Sequence, residues 1–313
     1  MDPLIILYGG FDGEAPISWK SASNVLKACV ELGHEPSLIN VSRLDLYDFF
    51  EREPDCVVLN MVHGQWGEDG EAQELFEELQ IKYFGSSSTG SRITFDKSLF
   101  RGIAEDWVRL PKGKLMTKDE YDKTNQAYPH IVKIPNSGSS IGVSYICTDM
   151  AKRDLLNEWE SDRRIVEEFI DGVEGSVTVY RGKVVGGVVI KYKGPIFDYI
   201  TKYDLSLQTI GDWSVVNEAV RTEITTFAEK IFNKIGLGGI VRIDFRLCSK
   251  GVPYILDVNT IPGMTTTSLV PFSFKQIGLG FNEVVQKMID DATCDMRARR
   301  APMHIIPRVN GAY

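Results

Sequence analysis

Two carboxylates and one carboxamide stand close together near the end of the chain. They are Asp244 in Arg242-Ile-Asp-Phe245, and Asp257 and Asn259 in Ile255-Leu-Asp-Val-Asn259. Ser249-Lys-Gly251 between the two runs is a hairpin signal. If Gly239–Leu247 and Val252–Val258 pair as antiparallel strands, Asp244 and Asp257 lie side by side. Asn259 is two residues further and shares their face. An all-oxygen set suits Mg²⁺ better than zinc, and like charges this close in an apolar setting require a cation. The neighbours Ile243, Phe245, Ile255, Leu256 and Val258 argue against a hairpin that merely faces solvent.

A second group is Lys133-Ile-Pro-Asn-Ser-Gly-Ser-Ser-Ile-Gly142. A Gly/Ser turn between strands presents N–H groups and hydroxyls to phosphate oxygens, and Lys133 adds a point charge. Alone, the stretch fits an ordinary hairpin loop equally well. It lacks the Gly-Lys-Ser/Thr ending of the P-loop. The third group, Val62-His-Gly-Gln-Trp-Gly-Glu-Asp-Gly70, packs functional side chains between glycines just after an apolar run, as a site loop does. A lone histidine such as His63 is more often structural, so its weight comes from its company.

These groups need elements to hold them. Pro3–Tyr8, Pro36–Val41 and Cys56–Val62 read as buried strands, and Ser18–Leu32 as a helix closed by Gly33. Strand–helix alternation over the first 85 residues implies a parallel α/β unit with its ligand at the C-terminal strand ends. Gly85–Gly90 is a domain boundary signal. Beyond it the expectation is a helix over Arg92–Trp107, strands at Pro129–Ile134, Ile141–Ile146 and Ile165–Phe169, and a helix over Met150–Trp159. Strands at Gly175–Tyr180 and Lys183–Lys191, a loop over Tyr192–Trp213 and a long helix over Val215–Ile235 follow. The expected fold class is α/β plus α+β, in domains 1–86, 87–175 and 176–313.

Composition sets further bounds. The chain has 313 residues, net charge −8, and dispersed Lys and Arg, which gives a nucleic-acid partner little support. The basic cluster Arg297-Ala-Arg-Arg300 reads as a solvated tail. Five cysteines without a Cys-x-x-Cys pair, and four histidines without ligand spacing, argue against zinc and disulfides and fit a reducing compartment. No signal peptide or membrane span is read, so the expected location is cytoplasmic.

In their order along the chain, these blocks resemble the D-alanine–D-alanine ligase family of ATP-grasp enzymes. The likeness rests on Gly9-Gly10…Glu14…Ile17-Ser18, His63-Gly64…Gly67-Glu-Asp-Gly70…Gln73, and Phe95-Asp-Lys97. It continues through Lys133…Gly138-Ser-Ser-Ile-Gly-Val-Ser144, Val166-Glu-Glu-Phe-Ile…Gly172…Glu174, and Asp198-Tyr199…Lys202-Tyr203. The last blocks are Arg242-Ile-Asp-Phe245 and Asp257-Val-Asn-Thr…Pro262-Gly-Met-Thr…Ser268-Leu269. The resemblance implies an ATP-grasp fold with a Rossmann-like N-terminal domain, and a ligase that forms an amide through an acyl-phosphate. It implies that Lys97, Lys133, Ser137, Gly138, Ser139 and Ser140 meet ATP phosphates. Glu167, Glu168, Phe169 and Ile170 would line the adenine, and Glu174 would hold the ribose. It implies two Mg²⁺ ions, or Mn²⁺ in their place, on Asp244, Asp257 and Asn259. Glu14, networked with Ser139 and Tyr203, would take the first substrate's ammonium. Arg242 and Gly263 would hold the oxyanion, and Ser268 and Leu269 the second substrate's carboxylate. Lys202 and His63 would complete the site, and the expected partners are amino-acid substrates and a second copy of the chain.

Four positions and one segment depart from the family pattern: after Tyr203 the chain reads Asp-Leu-Ser-Leu-Gln-Thr-Ile, and the family's usual Pro-Ala element further along is missing. Asp257 stands where the family has Glu, shortening the reach by about 1.3–1.5 Å, the length of one backbone bond. Ile134 replaces a usual proline, so the phosphate loop is expected to enter differently. Ser137 replaces an acidic or polar residue and Pro16 a charged one. A relative activating another amino acid, by ligation or by intramolecular cyclisation, is therefore a second reading. A nucleotide-binding pseudoenzyme is a third.

Overall fold

The computed structural model describes residues 2–10, 13–159, 163–204 and 206–293, without the side chain of Tyr203. Cys294, the basic cluster at 297–300 and His304 lie outside the described residues.

The chain opens with β1 (Leu4–Tyr8), α1 (Ala15–Glu31), β2 (Ser37–Asn40), α2 (Leu46–Arg52), β3 (Val57–Asn60), α3 (Glu71–Glu78) and β4 (Lys82–Phe84). The strands form a parallel sheet in the order β2-β1-β3-β4. Side chains alternate across a strand, so β1 feeds two cores. Leu4 and Ile6 pack with Ala22 and Val25 of α1, while Ile5 and Leu7 pack with Phe50 of α2 and Phe76 of α3. Pro16 falls in the first turn of α1, where its missing N–H costs nothing.

Next come α4 (Ser88–Phe95) and α5 (Lys97–Ala104). The single helix expected over Arg92–Trp107 is two. Asp96 takes an extended conformation and its carboxylate caps α5 by accepting from Ser98 and Leu99 N–H. That local competition for backbone donors outweighs the continuous apolar spacing. β5 (Gly113–Met116), α6 (Lys118–Lys123), β6 (His130–Lys133), β7 (Val143–Ile146), α7 (Asp149–Glu158) and β8 (Arg164–Glu168) follow. Their antiparallel sheet has the order β5-β8-β6-β7.

The third sheet contains β9 (Gly172–Tyr180), β10 (Lys183–Tyr192), β11 (Gln208–Asp212), β12 (Ile240–Cys248) and β13 (Pro253–Asn259). Its order is β11-β10-β9-β12-β13. The stretch 192–213, expected as a loop, carries a short helix α8 (Tyr199–Tyr203) and the edge strand β11. Asp198 caps α8, and the segment's aromatic and glycine content hides both elements from periodicity. The helices α9 (Glu218–Ile235), α10 (Leu269–Lys275) and α11 (Phe281–Thr293) complete the fold.

The expected boundary at 175/176 falls inside β9. The cores also run across the expected domains: Phe100 and Ala104 of α5 pack with α9 and β12, while Val285 and Met288 of α11 pack beneath the N-terminal sheet with Leu4 and Leu59. Among the described residues no helix is long and apolar enough to cross a membrane.

Candidate active site

Strand parity builds the floor of the site. Val241, Ile243 and Phe245 of β12 point into the core, so Arg242, Asp244 and Arg246 share the opposite face. The register sets Asp244 opposite Asp257 and Arg242 opposite Asn259. A bulge opens between Asp244 and Phe245, and both Leu256 and Asp257 line the cleft, as bulges beside sites commonly re-aim a side chain. Arg242 grips Asp244 with two bonds, Nε to Oδ1 at 2.8 Å and Nη2 to Oδ2 at 2.9 Å. Burial works to raise the Asp244 carboxyl, but the charge and hydrogen bonds of Arg242 prevail and hold it below its usual range. Lys97 Nζ is 3.4 Å from Asp257 Oδ1. The Asn259 carbonyl oxygen is buried and has no donor among the described residues. No group of three or more His, Cys, Asp or Glu suited to a metal occurs among the described residues; the candidate set is two carboxylates and this amide. An orphaned amide oxygen beside an opposed carboxylate pair fits a hard divalent cation.

Above the floor lies the β6–β7 hairpin. Ile134 N–H donates to Gly142 O at 3.3 Å, a bond proline cannot make. The hairpin is thereby paired one step beyond Lys133 and Val143. Ser139 and Ser140 have φ of 49° and 60°, a left-handed pair of the kind that turns successive N–H groups toward an anion. The cleft between hairpin and floor encloses about 800 Å³ including its open mouth. It is lined by Lys97, Lys133, Ser137, Ser140, Glu167, Glu168, Phe169, Ile170, Glu174, Lys202, Asp244, Arg246 and Asp257. Lys133 Nζ meets Glu167 at 2.7 Å and Arg101 meets the other oxygen of that buried carboxylate at 3.1 Å. Glu168 instead accepts from the Lys112 N–H at 2.8 Å. The Phe169 ring lies 4.8 Å from the Arg246 guanidinium. Glu174 accepts from Tyr192 Oη at 2.9 Å and lies 3.6 Å from Arg246. Burial pushes its carboxyl upward, against the pull of Lys202 and Arg246.

Outside that cleft a second group joins the hairpin to the N-terminal unit. Ser139 Oγ donates to the buried Glu14 carboxylate. At Gly138 a Cβ would fall 2.6 Å from Glu14 Oε2, so the approach requires glycine. Lys202 lies over the Phe197 ring at 5.5 Å. Tyr203 ends α8, and its side chain lies outside the described residues. Ser268 stands at the N-cap of α10, which begins at Leu269, and its Oγ accepts from Thr265 N–H at 3.1 Å. Gly263 is next to it: a Cβ there would lie 3.1 Å from Ser268 Oγ. His63 is buried, with Nδ1 2.8 Å from Ile261 O and 3.4 Å from Glu68. Burial pushes Glu68 up to about 7, opposed by its hydrogen bond to His63 and reinforced by Glu14.

Comparison with known proteins settles the family. The family model for the D-Ala–D-Ala ligase C-terminus matches residues 103–290. The D-alanine–D-alanine ligase of Coprothermobacter proteolyticus is 33% identical over 307 residues, covering 92% of this chain and 99% of the relative. That of Aquifex aeolicus is 32% identical over 298 residues, covering 91% and 99%. The chain belongs to the D-alanine–D-alanine ligase family. The fold agrees: the Bacillus anthracis D-alanine–D-alanine ligase complexed with ATP superposes with a TM-score of 0.78 at 25% identity, covering 95% of this chain and 97% of that one. The family is one of ATP-dependent ligases that form a carbon–nitrogen bond, and its ATP-grasp architecture is the fold described above. Matches spanning nearly the whole chain favour this ligase over the diverged and pseudoenzyme readings.

As a member of the D-alanine–D-alanine ligase family, the chain also places residues at the site that motif reading passed over. Arg101 neutralises the buried Glu167 carboxylate, and Arg246 the part-buried Glu174. Arg246 was accessible to reasoning, being two residues beyond Asp244 on the same strand face. Arg101 was not, because its partner Glu167 is 66 positions away. Glu68 lies within the Gly67–Gly70 block, but only burial gives it chemistry.

Proposed function

We propose that this chain condenses two D-alanine molecules to D-alanyl-D-alanine, consuming ATP, with Mg²⁺ on Asp244, Asp257 and Asn259. The carrying observation is the floor itself. An opposed carboxylate pair lines the cleft that also collects Lys97, Lys133 and Ser140 of the left-handed turn, and the orphaned amide oxygen of Asn259 follows two residues beyond Asp257 on the same strand. The bound divalent ion would neutralise phosphate charge and polarise the γ-phosphoryl group. The protein's share is positioning and charge. Lys97 and Lys133 would exchange Asp257 and Glu167 for phosphate oxygens. Phe169 and Ile170 offer apolar surface to a base, and Glu174 two acceptors to a ribose. Glu14, held by Ser139, is a buried carboxylate able to pair with a substrate ammonium. Arg242 and the Gly263 backbone would stabilise the tetrahedral oxyanion. Ser268 and the free first-turn N–H of Leu269 suit a carboxylate at a helix start.

The reading extends to a cytoplasmic homodimer without a nucleic-acid partner. It rests there on the family resemblance, the net charge of −8 and the dispersed basic residues. Phosphate release from ATP across a panel of D- and L-amino acids tests the substrate. Release with D-alanine supports the proposal; release only with another amino acid, or none, overturns it.

A further inference from the structure

Helix α1 carries two buried serines one turn apart, and they do different work. Ser18 Oγ accepts from Gly9 N–H at 2.9 Å and donates to Met61 O at 2.7 Å, so it stitches the ends of β1 and β3 within the N-terminal unit. Ser21 reaches across to the far end of the chain. Its Oγ accepts from Met264 N–H at 3.2 Å and lies 3.0 Å from His63 Nε2. A hydroxyl has one proton to give. The Met264 N–H occupies one acceptor position of Ser21. His63 Nδ1 faces the Ile261 carbonyl at 2.8 Å, which can only accept, and Glu68 at 3.4 Å, so Nδ1 carries a proton. Of the two tautomers of a neutral ring, the network selects the one whose bare Nε2 accepts from Ser21.

We infer that Ser21 is a positioning residue for the acceptor turn, acting through His63. The brace pins both ends of Pro262–Gly263: Ser21 takes the N–H of Met264 and His63 takes the carbonyl of Ile261. Between the pins lies Gly263, and Ser268 is packed against it. Ser21 is fully buried and does not line the cleft, so its effect is indirect. Water does not compete for these bonds, since Ser21 is 0% exposed, His63 5% and Met264 2%. The inference rests on the reading of Gly263 and Ser268 as oxyanion and acceptor groups; the tautomer does not.

Two measurements test it. The ¹⁵N imidazole spectrum of the intact protein at neutral pH is expected to show one histidine, absent from His63→Gln, with protonated Nδ1 and bare Nε2. A protonated Nε2 in that residue overturns the inference and leaves the ligase reading standing. Ser21→Ala is expected to lower kcat/KM for the second amino acid on the order of tenfold to hundredfold, the penalty of displaced reacting groups, with KM for ATP unchanged. Unaltered acceptor kinetics, or an equal rise in both KM values, overturns the positioning role. Absence of ligase activity from the unsubstituted protein would sink the functional reading alone, with the spectrum still deciding the tautomer.

Discussion

Lys97 Nζ stands 3.4 Å from Asp257 Oδ1 and donates to the Ser137 carbonyl at 2.7 Å. One ammonium thus serves as counter-ion to a candidate metal ligand and as tie to the phosphate hairpin, whose Pro135 carbonyl also accepts from the Lys97 N–H. A divalent ion on Asp257 would compete with it, and nucleotide phosphates would draw it away. Without nucleotide, Lys97→Met is expected to bind Mn²⁺ more tightly than the parent, roughly tenfold, or about 1.4 kcal/mol. With a non-hydrolysable nucleotide the order reverses. Calorimetric titration in both states reads this out, and equal affinity without nucleotide would refute the competition. Asp257→Asn, which removes the ligand charge, is expected to abolish turnover; near-normal activity would overturn the metal assignment.

Glu68 is a buried carboxyl pushed up to about 7. Between the ordinary Glu value near 4.3 and that level, the folded state holds a proton that the unfolded state has lost. Stability contributed at this position therefore falls as pH rises through the window, by on the order of 3 kcal/mol at full extent. Glu68→Gln should gain on the parent between pH 5 and pH 8 in urea unfolding. A constant difference between the two proteins would contradict the placement of this carboxyl.

His130 gives the opposite sign. It is fully buried, 2.7 Å from Tyr121 Oη and 3.0 Å from Ala127 O. Burial depresses its proton affinity, although the bond to Ala127 opposes this. The unfolded state then binds the extra proton first, so stability is lost as pH falls from about 6.5, the ordinary histidine value, toward the depressed folded value. His130→Asn should lose Tm through the broken contact with Tyr121 yet show a flatter Tm between pH 7.5 and 5.5. A variant as steep as the parent would disprove it.

The floor of the site was legible only in part. The hairpin signal pairs β12 with β13, but the register running from the turn, with Phe245 against Ile255, would set Asp244 opposite Leu256; the bulge shifts it to Asp257. The bulge that brings Leu256 and Asp257 to the same cleft was not legible, since an extra residue in one strand leaves no mark on composition. The brace through Ser21 was equally hidden: its Met264 partner is 243 positions away. The parallel N-terminal sheet follows from apolar runs closed by glycine. The helix and strand within 192–213 do not, because capping by Asp198 and pairing with β10 create them.

Gly138 offers a test of the Glu14 contact. Its missing Cβ leaves room for Glu14 Oε2, which a methyl would meet at 2.6 Å. Glu14 is 4% exposed and held by Ser139, so it cannot swing away without breaking that bond. Gly138→Ala is expected to raise KM for the first amino acid about tenfold, equivalent to losing a charge-assisted contact, with a circular dichroism spectrum like the parent's. An unchanged KM would separate the contact from substrate binding.

The segment 192–213 is docked on the phosphate hairpin through Ser140 Oγ, which donates to Phe197 O at 2.9 Å. Phe197 stacks on Tyr192 at 5.1 Å, and Gln208 Nε2 holds the Lys202 carbonyl at 2.8 Å. Its outer side is open to solvent at Ile200, which is 67% exposed. A segment so placed can exclude water from an acyl-phosphate when it closes. Trypsin is expected to cut after Lys193 or Lys202 in the free protein, and several-fold more slowly with ATP and D-alanine bound, since cleavage follows the open population. Ser140→Ala removes the tie to Phe197 and should speed cutting in both states. Equal rates with and without ligands in the parent protein would refute closure of this segment over the site.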